Sequence, residues 1–173
     1  MPFVTVCPLS QVAATVTATG ASHLLSLING DTPVPRPDAI AEENHLFLGM
    51  NDIVEPQDGM TLPGEQHVRD LLVFVAGWDR SRPMVVHCYA GISRSTAGAF
   101  IALCAARPDR DEAEIAARLR AASPTATPNA RLVAIADTLL GRNGRMTSAI
   151  DAIGRGELAT EGIPFRLPLE HDG

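Results

Sequence analysis

At 173 residues, with 46% hydrophobic and 20% charged residues, the chain fits one domain with a substantial core. A formal net charge of −6 and a pI near 5.3 give it no general attraction to nucleic acid or to an anionic membrane. No apolar run approaches bilayer-spanning length, the first residues lack the pattern of a signal peptide, and the cysteines at 7, 88 and 104 form no paired framework. A free-thiol, cytoplasmic protein is expected.

Residues 3–7 form a β-rich run, and residues 11–19 read as a short helix or turn. A second apolar run, 23–28, closes on the turn signal Asn29-Gly30-Asp31. Three prolines make residues 32–37 irregular. Residues 45–50 read as a third strand that delivers Asn51 and Asp52 to its C-terminal end. Residues 55–63, with two prolines and a glycine, read as a loop. From Gly64 the period changes, because Val68, Leu71, Leu72, Val75 and Trp78 fall on one helical stripe. Residues 84–88 are the fourth strand, and residues 96–106 form a helix apolar nearly all round. Asp109-Arg110-Asp111-Glu112 resembles a capping box for a helix to Ala122. Thr127 and Pro128 are read as cap and first turn of the next helix, with Leu132, Ile135, Ala136 and Leu139 facing inward and Gly141 ending it. Residues 146–153 form a last short helix. The expected fold is α/β, a central mixed and mostly parallel sheet of about four to five strands flanked by helices. Residues 1–155 make the domain, and 156–173 form a C-terminal tail without a readable role.

The chemistry concentrates in His87-Cys88-Tyr89-Ala90-Gly91-Ile92-Ser93-Arg94-Ser95. A strand, a tight glycine-bearing loop and a helix start make a nest of backbone N–H groups suited to an anion. Arg94 can add a bidentate fork for two oxygens of that anion. The same positive field favours the nucleophilic thiolate form of Cys88. Nucleophile and oxyanion cradle on one loop suggest attack on a phosphate ester. Open α/β sheets place ligand sites at strand C-terminal ends, where both Cys88 and Asp52 fall.

The pattern His-Cys-x5-Arg-Ser resembles the active-site loop of the cysteine-dependent protein tyrosine phosphatase superfamily. The order of elements is most similar to its dual-specificity-like branch, including compact bacterial members. The resemblance implies a dual-specificity-phosphatase-like fold and a phosphatase that forms a cysteinyl-phosphate intermediate, with no metal or other cofactor. Its substrates would be phosphotyrosine or phosphoserine/threonine proteins, or a small phosphoester. Cys88 would be the nucleophile. The backbone N–H groups of Tyr89, Ala90, Gly91, Ile92, Ser93 and Arg94, with the Arg94 guanidinium, would hold the phosphate. Ser95 would assist departure of the sulfur, or serve as a helix N-cap, or both. His87 would order the loop from behind it. Asp52 is the candidate general acid, with Asp58 the main competitor and Glu55 a third choice. Asn129 would support the loop, or simply begin a helix.

The uncharged loop positions Tyr89, Ala90, Ile92 and Ser93 lower the expectation of a polyphosphorylated inositide substrate. No phosphotyrosine-recognition loop is recognisable, so tyrosine-only and dual specificity stay open. Two other readings are a phosphate-binding pseudophosphatase and a rhodanese-like sulfur transferase, which fits this loop less well. Histidines at 23, 45, 67, 87 and 171 show no metal-ligand spacing. Cys7 and Cys104 are either small core residues or partners for a protective disulfide with Cys88.

Overall fold

The computed structural model describes residues 1–170. The four apolar runs form β1 (Phe3–Pro8), β2 (His23–Ile28), β3 (His45–Gly49) and β4 (Met84–Cys88). These strands are parallel, side by side in the order β3-β2-β4-β1. Both faces are covered, so β2 and β4 are buried along their whole length, which is why they read as continuous apolar runs.

Among the described residues, six α-helices connect and cover the sheet: α1 (Val12–Thr19), α2 (Glu65–Gly77), α3 (Arg94–Ala106), α4 (Glu112–Ala122), α5 (Ala130–Leu139) and α6 (Arg145–Ile153). Helix α1 seats Val12 and Val16 on Cys7, Leu24 and Val85. The opposite face presents Val4, Val6, Leu25, Leu27, Met84 and Val86 to α3, around which the other helices pack. Fully burying each of these side chains stabilises by about 1.5–3 kcal/mol. Among the described residues, no helix is long and apolar enough to cross a membrane.

A fifth strand, β5 (Phe165–Pro168), pairs antiparallel with the outer edge of β1. It lies in the segment read from sequence as a tail, of which residues 171–173, with His171, fall outside the described residues. Phe165 and Leu167 point into the core while the Arg166 guanidinium sits 4.6 Å from the Phe3 ring centre. Four residues carry too short an alternation to stand out as a strand.

Three helix starts differ from the sequence reading. Asp111, not Asp109, caps α4 by accepting from the N–H groups of Ala113 and Glu114, because Arg107 holds the Asp109 carboxylate at 2.8 Å. Asn129, not Thr127, caps α5, its Oδ1 accepting from Leu132 N–H at 3.1 Å. Helix α3 begins at Arg94, two residues earlier than expected, directly out of the loop after β4.

Parallel strands bring their C-terminal ends to one edge of the sheet. Cys88 therefore emerges beside Leu9, Asn29 and the Met50–Asp52 segment, which follow β1, β2 and β3.

Candidate active site

Cys88 is the last residue of β4 and only 2% exposed. Its Sγ lies 3.1 Å from Ser95 Oγ, and Gly91 N–H donates to it at 3.3 Å. As a thiol Cys88 donates to Ser95; as a thiolate it would accept from the Ser95 hydroxyl. Ser95 is fully buried at the second position of α3, so the N-cap reading fails: Ser93 occupies that place. Gly91 has φ of +72°, and a Cβ there would meet Pro8 N at 2.8 Å and Cys7 C at 2.9 Å. Only glycine fits this turn against the end of β1.

The loop is held open by its surroundings, one carbonyl at a time. The Cys88 carbonyl accepts from His87 Nδ1 at 3.1 Å, and that of Tyr89 from Leu9 N–H at 3.1 Å. The Ala90 carbonyl accepts from Gly162 N–H at 2.7 Å, and that of Ile92 from Thr127 N–H at 2.9 Å. Asn129 N–H reaches the Ser93 carbonyl at 3.2 Å, where Thr96 Oγ1 also donates. A planar trans peptide points its N–H opposite to its C=O. Five carbonyls drawn outward therefore turn the following N–H groups toward the loop interior, where an oxyanion gains most from them.

Arg94 is nearly buried, and one arm of its guanidinium is fixed by residues that follow two strands. Nη1 donates to Asn29 Oδ1 at 2.7 Å and to the Met50 carbonyl at 2.8 Å. The buried Nε has no hydrogen-bond partner among the described residues, which leaves it free to bind an oxygen of an anion. Asn29 read as part of a turn in the sequence. Its position just after β2 was the one available signal, and a turn residue gives no hint of an arginine reaching it from α3.

Asp52 is brought to the loop. Its Oδ1 accepts from Ser93 Oγ at 2.8 Å and from Asn129 Nδ2 at 2.9 Å. Asn129 thus both caps α5 and ties the Asp52 segment to the loop, adding a bond from Nδ2 to the Ile53 carbonyl at 3.2 Å. Asp58 and Glu55 are exposed on the following loop and make no hydrogen bond to residues 88–95 among the described residues. Asp52→Asn is expected to lower turnover of a phenyl phosphate by about 10²-fold or more, the range of a lost general acid. Asp58→Asn should leave it near wild type. The reverse ordering in steady-state kinetics would transfer the acid role to Asp58.

Behind the loop runs a hydrogen-bonded chain that the sequence did not suggest. His87 Nε2 lies 2.6 Å from Ser26 Oγ, which lies 2.8 Å from His45 Nε2. The Cys88 carbonyl can only accept, so His87 Nδ1 carries the ring proton and Nε2 accepts from Ser26. Ser26 then accepts in turn from His45 Nε2–H, and the chain runs in one direction. Cross-strand pairing of Ser26 with His87 sets this contact. Burial pushes the His87 pKa down to about 4, opposed by its bond to the Cys88 carbonyl and assisted by the charges of His45 and Arg94. An unfolded histidine titrates near 6.5. As pH falls from about 6.5 to about 4, the unfolded chain takes up this proton and the folded one does not. Stability should fall by about 3 kcal/mol over that window and level off below it with respect to this residue. Urea unfolding against pH reads this loss, and His87→Gln should flatten that part of the profile.

Neither remaining cysteine is placed to trap Cys88. Cys7 pairs with His87, one residue out of step with Cys88, and so faces the α1 side of the sheet while Cys88 faces the α3 side. Cys104 lies ten residues along α3 from Arg94, about 15 Å at the helical rise, toward the far end of the helix from the loop that bears Cys88. Burial raises the thiol pKa of Cys7 to about 11 and of Cys104 to about 12. Both are core residues. Among the described residues, no cluster of three or more His, Cys, Asp or Glu is arranged to hold a metal ion.

No family model and no curated protein matches the sequence. Solved structures do. Human DUSP28 is 16% identical with a TM-score of 0.61, over 80% of this chain and 94% of that one. The PTP-2 phosphatase of Cydia pomonella is 16% identical with a TM-score of 0.60, over 78% and 84%. The Yvh1 phosphatase domain of Chaetomium thermophilum is 20% identical with a TM-score of 0.59, over 84% and 93%. The chain has the dual-specificity phosphatase fold. That fold, with its five-stranded mixed sheet and helices on both faces, is the architecture expected from the sequence.

A cleft of about 220 Å³ opens beside the loop of this phosphatase fold. Asp52, Ile92 and Ser93 line one side, and Arg155, Glu157 and Leu158 line the other. A larger groove of about 400 Å³ between α2 and α5, with Glu65 and Arg131 on its rim, shares no residue with the loop and holds none of this chemistry.

Proposed function

We propose that the chain hydrolyses phosphomonoesters in two steps through a cysteinyl phosphate on Cys88. The observation that carries this reading is the placement of the Cys88 sulfur, which receives the Gly91 N–H and faces the Ser95 hydroxyl. Around it, the loop has five carbonyls bonded outward, and the buried Arg94 Nε has no partner among the described residues.

In the first step the Cys88 thiolate forms an S–P bond as the ester P–O bond breaks, and Asp52 gives its proton to the departing oxygen. Loop N–H groups and Arg94 stabilise the charge that spreads onto the equatorial oxygens. In the second step water forms a new P–O bond, losing its proton to the Asp52 carboxylate. The S–P bond breaks, and the Ser95 hydroxyl donates to the sulfur as it regains its charge. No step requires a metal, because Arg94 and the loop supply the electrophilic assistance. The nearest substrate class is a phosphorylated side chain of a protein or a small phosphoester. The uncharged positions Tyr89, Ala90, Ile92 and Ser93 give little to bind further phosphates. Free thiols at all three cysteines fit a reducing compartment such as the cytoplasm.

Hydrolysis of a generic aryl phosphate, with chelator present, tests the reading. Wild type should turn over, and Cys88→Ser should lose all measurable activity. A wild type that binds tungstate tightly without turnover would replace the enzyme with a phosphate-binding module.

A further inference from the structure

The C-terminal segment after α6 lies along the active-site loop. Gly156 N–H donates to Thr127 Oγ1 at 3.1 Å, and Glu157 N–H to the Pro124 carbonyl at 2.9 Å. Farther along, Ser10 Oγ donates to Glu161 Oε1, and Gly162 N–H donates to the Ala90 carbonyl at 2.7 Å. Contact is backbone to backbone: a Cβ on Gly162 would sit 2.8 Å from Gly91 O and 3.4 Å from Ala90 O.

The peptide that Gly162 grips is the one whose N–H meets the nucleophile. Ala90 C=O and Gly91 N–H belong to a single rigid plane, so pulling the carbonyl outward aims the N–H inward. Gly91 N–H does reach Cys88 Sγ at 3.3 Å. A hydrogen-bonded path thus runs from Gly162 N–H, through the 90–91 peptide, to the sulfur. Each bond polarises the next and strengthens the donor that meets negative charge on sulfur.

We propose that Gly162 is a positioning residue for the reaction, and that Glu161 and Ser10 clamp it in place. The C-terminal segment would then set the geometry and charge preference of the Cys88 cradle as well as closing the fold through β5. This rests on the cysteine-phosphatase reading of the same loop. Gly162 fits because no other residue could approach two loop carbonyls without pushing the segment away. Glu161 fits because its bond to Ser10 fastens the segment to the turn that follows β1, whose Leu9 N–H holds the neighbouring Tyr89 carbonyl.

The test uses the full chain as Gly162→Ala, Glu161→Ala and Glu161→Gln, with folding checked by thermal melting. Two rates are read: kcat on an aryl phosphate, and alkylation of Cys88 by iodoacetamide at neutral pH. Gly162→Ala should lower kcat by about tenfold to a hundredfold, the scale of a small misplacement in a preorganised site. Its alkylation rate should change severalfold, because the sulfur loses a donor. Glu161→Ala should move both rates the same way by less, and Glu161→Gln, which can still accept from Ser10, should restore them. Folded Gly162→Ala and Glu161→Ala proteins with wild-type kcat and alkylation would overturn the proposal. So would a lowered melting point with both rates unchanged, the mark of a merely structural role. Alkylation needs no turnover, so a wild type inert toward aryl phosphates would sink the phosphatase reading while the alkylation rates still decide the role of Gly162.

Discussion

Arg94→Lys should lower kcat/KM on an aryl phosphate by about 10²–10³-fold, the cost of losing a preorganised oxyanion donor. Lysine keeps the charge but loses the fork. One arm of Arg94 is spent on Asn29 Oδ1 and the Met50 carbonyl, and this fixes the plane in which the remaining N–H groups would meet two oxygens of an anion. An ammonium group can satisfy those two acceptors or reach the anion, with no rigid geometry linking the tasks. Steady-state kinetics together with phosphate inhibition read the loss. A lysine variant within a few-fold of wild type would mean that charge alone, not the anchored fork, stabilises the transition state.

Gly91→Ala is the second large effect, and it acts through the backbone. At φ of +72° an alanine pays conformational strain of about 1–3 kcal/mol. It also drives a Cβ into the main chain at Pro8 and Cys7, which cannot yield because β1 is locked between β4 and β5. The loop must then move off β1, which takes the Gly91 N–H away from Cys88. We expect a melting temperature lower by about 2–4 °C per kcal/mol and turnover lower by about 10²-fold, the scale of a catalytic group displaced by an ångström. A stable alanine variant with normal turnover would show that the Gly91 N–H is dispensable.

β1, β2 and β4 were legible because strands buried on both faces leave unbroken apolar runs, β3 because residues 46–48 are apolar although it lies half-buried at the sheet edge, and α2 because its stripe from Val68 to Trp78 repeats at helical spacing. The segment from His87 to Ser95 could be read because nucleophile, glycine turn and arginine must be near in sequence to share one loop. What escaped was contact between distant segments. Asn29 on Arg94, Ser26 and His45 behind His87, and Gly162 on Ala90 each join residues of different elements far apart in the sequence, and single residues carry no period. β5 escaped because four residues ending in Pro168 look like coil until β1 offers an edge. The caps at Asp111 and Asn129 were each displaced by two residues where a neighbour claimed the expected cap. Arg107 took Asp109, and Gly156 N–H took the Thr127 hydroxyl oxygen.

The most direct test is to quench the wild-type protein in acid during turnover of an aryl phosphate and to map bound phosphate by mass spectrometry. The account predicts a phosphate adduct on the peptide bearing Cys88, absent from Cys88→Ser and enriched in Asp52→Asn with a good leaving group, because breakdown then lacks its base. Steady turnover with no adduct on Cys88, or with the phosphate on another residue, would contradict it.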